Sequence, residues 1–197
     1  MQFKKNVMLF AALAMFVVGC AEPEKKAQVG TSAPQTATTK SGPTDLIPRE
    51  TLFGNPDRAG PQVSPDGKQL AFLAPLDGVL NVWVAPSDKP SAAKAVTKDT
   101  IRGIRRYFWA YTNQHIVYLQ DKGGDENWRA YSVDLSNNNA EKDLTPFEKV
   151  NAQIEEVSYK FPDEILVGLN NRDVKYHDLH RVNIRTGQMT LLAQNND

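Results

Sequence analysis

Hydrophobic and polar residues alternate with a period of two along most of the chain after residue 44, between turn-forming Gly, Asn, Asp and Pro residues. This alternation predicts short β-strands. Helical periodicity is scarce. The exception is Leu46–Phe53, where Pro48 at the first helical position predicts a single helical turn. The pattern therefore predicts an all-β domain.

One plan occurs three times along this domain. Each copy has an apolar run, a polar turn, an alternating strand, a second turn and a short closing strand. The copies are Gln69–Thr97, His115–Thr145 and Glu164–Leu192. Their apolar runs begin at Leu70, Ile116 and Ile165, which are 46 and 49 residues apart. This period is typical of four-stranded propeller blades. We predict a partial β-propeller of about three four-stranded antiparallel blades, at residues 60–98, 105–146 and 152–194.

The number of blades has a consequence for the ends of the predicted stack. Closed propellers have about four to eight blades, so three leave two sheet faces unpaired. The sequence ends at Asp197, shortly after the third closing strand. We expect the chain to be the front part of a longer protein or a truncated reading frame. We also expect an unpaired apolar face to favour association.

The first 19 residues have the pattern of a secretory signal. Lys4 and Lys5 precede the unbroken apolar run Val7–Val18, which is too short to span a bilayer. The ending Val-Val-Gly-Cys resembles the lipobox of bacterial lipoproteins. That resemblance implies cleavage before Cys20, a diacylglycerol on its sulfur and an acyl group on its amine. The alternative is an ordinary thiol within a cleaved signal.

The lipobox resemblance also implies a location. The membrane would be a partner through the lipid anchor, and the protein would lie in the cell envelope. Ala21 follows the cysteine where Asp often marks retention in the inner membrane. The resemblance therefore favours the periplasmic face of the outer membrane.

Composition separates a linker from the domain and excludes one class of partner. Residues 20–44, the lipidated cysteine and the stretch after it, have almost no large apolar residues and predict a flexible tether. Residues 45–197 form the predicted propeller. The chain has 23 basic and 23 acidic residues, so loss of Lys4 and Lys5 leaves a net charge of about −2. No basic stripe is present, and nucleic acid is not an expected partner.

A turn motif connects the repeats with a known family. Val63-Ser64-Pro65-Asp66-Gly67-Lys68-Gln69-Leu70-Ala71-Phe72 predicts a turn between two strands, with Pro65 presetting its φ and Gly67 accepting a positive φ. The motif resembles the blade signature of Tol-B-like propellers. Together with Gly54–Ala59, Phe108–Thr112 and Gln120–Arg129, it resembles the N-terminal propeller of bacterial serine peptidases of the prolyl oligopeptidase family, in the acylaminoacyl and dipeptidyl peptidase-like branch.

That resemblance implies a division of labour. In this family a propeller covers the mouth of an α/β-hydrolase domain and admits only short peptides. The hydrolase carries Ser, Asp and His, and its nucleophile lies in a Gly-x-Ser-x-Gly turn. The present sequence contains no such segment, so the hydrolase partner is missing and no catalytic residue is assigned. We expect the chain alone to be inactive, and no cofactor is implied.

Asp125 and Glu126 are the candidate binding residues. They lie in a Gly-Gly-Asp-Glu turn of the second repeat. Some relatives hold a peptide's α-ammonium with propeller carboxylates, and paired carboxylates suit that task. The alternative is a solvated acidic hairpin. His115, His177 and His180 show no metal-ligand spacing and are expected at the surface or at strand edges, while the tryptophans are expected to pack between blades.

Two functions of different classes remain open. The first is the substrate-gating and docking propeller of a lipid-anchored periplasmic serine peptidase acting on short peptides. The second is a non-catalytic, lipid-anchored binding module for protein or glycan, because fold alone does not specify function. The peptidase-like order of Gln120–Arg129 favours the first.

Overall fold

The computed structural model describes residues 46–121 and 123–196. The predicted signal, Cys20 and the whole predicted linker lie outside these residues. Within them the chain forms twelve strands, one five-residue helix and one 3-10 turn, Pro90–Ala92. None of the helices described is long and apolar enough to cross a membrane. The predicted all-β class is confirmed.

The twelve strands form three four-stranded antiparallel sheets, and the strand order in each sheet follows the sequence. Sheet one contains β1 (Ala59–Val63), β2 (Gln69–Leu76), β3 (Val79–Pro86) and β4 (Lys94–Ala95). Sheet two contains β5 (Arg106–Trp109), β6 (His115–Gln120), β7 (Arg129–Asp134) and β8 (Ala140–Asp143). Sheet three contains β9 (Ala152–Val157), β10 (Glu164–Asp173), β11 (Tyr176–Asn183) and β12 (Met189–Ala193).

The helix α1 (Arg49–Phe53) begins one residue later than predicted. Pro48 has φ −55° and ψ 141°, so it precedes the first helical residue instead of occupying that position. Proline fixes φ but leaves ψ free, and here ψ is extended. The predicted single turn is otherwise present.

The turn between β1 and β2 has the predicted chemistry. The N–H of Gly67 donates to the carbonyl oxygen of Ser64 at 2.8 Å, and Gly67 has φ 76°. The Asp66 carboxylate accepts from the Ser64 hydroxyl at 2.7 Å and from the backbone N–H of Lys68 at 3.1 Å. The side chain of Asn113, in the equivalent turn of sheet two, accepts from the N–H of Asp66 at 2.8 Å.

Sheet two is packed between the other two sheets. Ile116 and Val117 are consecutive residues of β6, and both are fully buried. Ile116 belongs to a core shared with Ala71 and Val82 of sheet one. Val117 belongs to a second core shared with Val167 of sheet three. Because successive side chains of a strand point to opposite faces, one strand contributes to both cores.

The apolar positions of the three repeats predict ten core residues, and eight of them are buried. Those with less than a tenth of their surface exposed are Phe72, Val82, Ile116, Tyr118, Val133, Ile165, Val167 and Val182. Leu70 and Val84 are only half-buried. Leu70 lies on the face of sheet one that points away from sheet two. Val84 pairs with Lys94 in β4, which has only two residues and leaves Val84 incompletely covered.

Trp109 packs between sheets, as predicted. It is 6% exposed and belongs to the core between sheets one and two. Its indole N–H donates to the carbonyl oxygen of Gln62 in β1 at 3.2 Å. A buried indole needs such a partner, and here the partner comes from the neighbouring sheet.

Candidate functional site

The predicted binding residues lie in the loop between β6 and β7. Gly123 and Gly124 have φ values of 71° and 94°, and Glu126 has φ 59°. The carboxylate of Asp125 accepts a hydrogen bond from the backbone N–H of Asn127 at 3.0 Å. Both acidic side chains are exposed. The loop is therefore a tight turn that holds two carboxylates at the surface.

Arg102, in the connector between sheets one and two, anchors the start of this loop. Its guanidinium lies 3.6 Å from the carboxylate of Asp121, whose side chain is 2% exposed. The Oδ2 atom of Asp121 has no hydrogen-bond partner among the described residues. The guanidinium also packs against Gly124, since a Cβ at that position would lie 2.7 Å from Nη1. A glycine is needed there both for its φ and for this close approach.

The end of the loop is tied to sheet three. The side-chain amide of Asn151 donates to the carbonyl oxygen of Glu126 at 3.3 Å. The N–H of Asn151 donates to the side-chain oxygen of Asn170 in β10 at 2.6 Å. The N–H of Ala152 donates to the carbonyl oxygen of Trp128 at 2.7 Å. The loop thus spans the boundary between sheets two and three.

A groove follows this boundary. It consists of two neighbouring cavities, each of about 490 Å³, which share Arg106, Leu119 and Gln153 in their walls. Trp128 and Asn151 line one cavity beside the loop. Neither Asp125 nor Glu126 lines either cavity. The two predicted carboxylates therefore lie next to the groove, and Trp128 and Asn151, which are close to them, form part of its wall.

The charged residues at the groove come from both of its sides. Arg106 in β5 and Arg105 just before it are exposed and line the side formed by sheet two. Glu155 and Glu156 of β9 belong to the other side, but the Glu155 carboxylate lies against Gly168 and Glu156 pairs with Leu166. Both carboxylates therefore project from the face of sheet three that points away from sheet two. The sequence analysis missed this glutamate pair, because a β-bulge in the pairing of β9 with β10 turns both side chains to one face.

Two of the histidines are buried, so the surface expectation for them was wrong. His115 is 1% exposed; its Nδ1 is hydrogen-bonded to the Thr112 hydroxyl at 3.0 Å, and its Nε2 lies 3.6 Å from the Asp134 carboxylate. His180 is 6% exposed, and its Nδ1 donates to the carbonyl oxygen of Asp178 at 2.9 Å. Burial holds the pKa of His115 below its usual value despite Asp134. The Nδ1 atom of each ring has a partner within three residues in the sequence, which alternation alone does not reveal.

The described residues contain no cluster of three or more His, Cys, Asp or Glu side chains with metal-binding geometry. Within 46–121 and 123–196 the serine hydroxyls have no histidine partner. The Ser64 hydroxyl donates to Asp66, and that of Ser132 donates to the carbonyl oxygen of Ile184 at 2.8 Å. Nucleophilic catalysis needs a base within hydrogen-bond reach of the hydroxyl. The site described here is suited to binding.

The chain is similar to two curated proteins. It is 54% identical over 168 residues to dipeptidyl aminopeptidase BIII of Pseudoxanthomonas mexicana, a match that covers 85% of this chain and 24% of that protein. It is 32% identical over 157 residues to dipeptidyl peptidase family member 6 of Caenorhabditis elegans, covering 77% of this chain and 21% of that protein. The chain therefore spans about a quarter of the curated relatives it matches. No protein-family profile matches the chain.

A solved structure supports the architecture. The β-propeller domain of the Trilobed protease from Pyrococcus furiosus, described as having an open velcro topology, is similar with a TM-score of 0.51 and 17% identity. The match covers 71% of this chain and 43% of that domain. At this identity the likeness shows the fold alone. The three sheets are therefore part of a β-propeller, and the predicted resemblance to peptidase propellers is confirmed by the homologues.

Proposed function

Because this chain is a β-propeller portion homologous to dipeptidyl peptidases, we propose that it is the substrate-gating and docking part of a lipid-anchored periplasmic serine peptidase that acts on short peptides. The observation that carries the proposal is the 54% identity over 168 residues. In this proposal catalysis belongs to a separate α/β-hydrolase domain. The chain contributes selection and orientation of the peptide.

The selection is steric, and the groove supplies the polar contacts. A rigid stack of sheets admits a narrow, flexible chain and excludes a folded protein. In this proposal Asp125 and Glu126, beside the groove, attract the α-ammonium end of a peptide, and Arg105 and Arg106 attract its carboxylate end. Charge-assisted hydrogen bonds of this kind are about twice as strong as neutral ones.

The anchor is a separate part of the proposal. Cys20 carries the lipid, residues 20–44 form the tether, and the protein lies at the periplasmic face of the outer membrane. Support comes from the sequence alone: the apolar run Val7–Val18 followed by Val-Val-Gly-Cys. Two or more lipid chains are needed for stable anchoring, and lipoprotein acylation supplies them.

The gating proposal is tested in a chimera with the bacterial relative. Residues 46–196 of this chain replace the matched segment of dipeptidyl aminopeptidase BIII, which is feasible at 54% identity. We expect the chimera to release dipeptides from chromogenic substrates with a free amino terminus. Asp125→Asn with Glu126→Gln should raise KM by about tenfold for these substrates, as expected for loss of charge-assisted contacts. N-acetylated substrates should show no such change.

Two control variants accompany this test in the same chimera. Glu155→Gln with Glu156→Gln removes two carboxylates that project away from sheet two, and Glu148→Gln removes an exposed carboxylate outside the groove. If Asp125→Asn with Glu126→Gln leaves KM for free-amine substrates unchanged, the proposed amine contact is wrong. If a folded chimera hydrolyses large folded proteins as readily as dipeptides, the gating proposal is wrong.

A further inference from the structure

The boundary between sheets one and two contains a second polar cavity, away from the peptide groove. Its volume is about 470 Å³, within the range of small-molecule sites. It lies between the segment that follows β4 and the strands β6, β7 and β8 of sheet two. It shares no lining residue with the two cavities of the groove. We propose that this cavity binds a pyranose unit of a neutral glycan.

An aromatic pair forms one wall of the cavity. Tyr118 and Tyr131 are cross-strand neighbours in β6 and β7, and their rings are stacked with centroids 5.2 Å apart and planes 17° apart. Tyr118 is buried, and its hydroxyl donates to the Glu141 carboxylate at 2.5 Å. Tyr131 is half-buried and lines the cavity. The stack fixes the Tyr131 ring, so a flat, weakly polar surface is available at no ordering cost.

The remaining walls carry both hydrogen-bond donors and acceptors. The side-chain amides of Gln120, Asn138 and Asn139 line the cavity, and none of them bonds to another residue in the described part of the chain. Asn138 and Asn139 have φ values of 52° and 57°, so the turn between β7 and β8 holds both in the left-handed conformation. Each amide offers two donors and one acceptor oxygen. Unpaired amides around an aromatic wall match a ligand that is rich in hydroxyl groups.

The charges of the cavity favour a neutral ligand. Asp99 and Glu141 line it together with Lys98, and both carboxylates already accept hydrogen bonds within the protein. The Asp99 carboxylate accepts from the backbone N–H groups of Arg102 and Gly103, and the Glu141 carboxylate accepts from Tyr118. An anionic ligand would meet these two carboxylates, and an ammonium would meet Lys98. Hydroxyl groups donate and accept, so a saccharide satisfies both kinds of partner.

The test is saturation-transfer difference NMR on the full chain with three neutral probes, N,N′,N″-triacetylchitotriose, maltotriose and xylotriose. We expect at least one probe to bind with a dissociation constant of about 1 mM or tighter. Tyr131→Ala should weaken that binding by about tenfold or more. Tyr159→Ala is the matched control, because Tyr159 is an exposed aromatic residue outside this cavity. The control should leave the affinity unchanged.

A second variant keeps the proposal testable if loss of Tyr131 unfolds the protein. Asn138→Gly with Asn139→Gly removes both amides and preserves the left-handed turn, because glycine adopts positive φ readily. Binding should weaken by about fivefold or more while the melting temperature stays close to that of the parent. The inference is overturned if none of the probes binds, or if the affinity is unchanged in either folded variant. It stands independently of the peptidase proposal.

Discussion

The guanidinium of Arg102 and the carboxylate of Asp121 lie 3.6 Å apart, although one belongs to the connector between sheets one and two and the other to the loop after β6. The Asp121 side chain is 2% exposed, whereas that of Arg102 is 39% exposed. Removing one partner of a buried pair is strongly destabilising because the other charge stays desolvated. This contact therefore holds the loop that carries Asp125 and Glu126 against the sheets.

Gly124→Ala tests that contact, with Gly123→Ala as a matched control. Both glycines have positive φ, but only a Cβ at residue 124 would meet Arg102. Backbone strain alone should lower the free energy of unfolding of the Gly123→Ala control by about 1 kcal/mol. Gly124→Ala should lower it by about 1–2 kcal/mol more, because Arg102 must move away from Asp121. Urea unfolding measures both. Equal losses would contradict the anchoring role of Arg102.

The pair formed by Arg172 and Asp178 predicts sensitivity to acid. Arg172 donates to the two carboxylate oxygens at 2.7 and 2.8 Å, and the N–H of Asn195 donates to Oδ1 at 2.9 Å. Hydrogen bonds from Arg172 hold the pKa of Asp178 at about 2, below its usual 3.8. Since the folded pKa lies below the unfolded one, the stabilisation is complete above about pH 5 and is lost as the pH falls towards about 2.

Arg172→Gln should therefore lower the midpoint of urea unfolding near neutral pH. The difference between the midpoints of the variant and the parent should shrink as the pH falls from about 4 to about 2. Arg181→Gln is the control, since Arg181 forms a longer and more exposed pair with Glu164 at 3.8 Å. A difference that stays constant over this pH range would show that the ion pair is not responsible.

Sequence patterns predicted the fold more fully than the site. Apolar runs located the strands of the middle sheet because that sheet is covered on both faces, as the consecutive buried residues Ile116 and Val117 illustrate. The Ser64–Gly67 turn was predictable because its hydrogen bonds are local. The burial of His115 was not predictable, since its partner Asp134 is brought to it only by the pairing of β6 with β7. The groove was missed for the same reason: Arg106 and Gln153 line one cavity only once two sheets stack.

Cys20→Ser is expected to abolish lipid attachment, because the Val-Val-Gly-Cys ending has no second thiol to modify. Cells expressing the parent should incorporate radiolabelled palmitate into this chain, and cells expressing the variant should not. The variant should also either keep its signal uncleaved or appear in the soluble fraction instead of the membrane fraction. Lys26→Ser serves as a control substitution in the neighbouring linker. Labelling that persists in Cys20→Ser would disprove the anchor.

We expect the chain to self-associate through the face of sheet three that points away from sheet two. A cavity of about 570 Å³ lies there, lined in part by exposed Tyr159, Phe161 and Leu192. Apolar surface of this kind favours contact with a second apolar surface. Sedimentation velocity should show concentration-dependent association of the chain that Phe161→Ser with Leu192→Lys reduces. Val174→Ser is the control, because Val174 is 75% exposed but does not line this cavity. A parent chain that stays monomeric would contradict the prediction.

Because β6 is buried on both faces, the middle sheet couples the stability of sheet one to that of sheet three. Ile116 and Val117 are neighbours in sequence but belong to separate cores. Melting of sheet one exposes Ile116, and melting of sheet three exposes Val117. Unfolding of one terminal sheet therefore removes one of the two cores in which the middle sheet is packed. Once both terminal sheets unfold, the middle sheet has no core left and unfolds with them. Neighbour-to-neighbour coupling of this kind is how stacked repeats unfold as a unit.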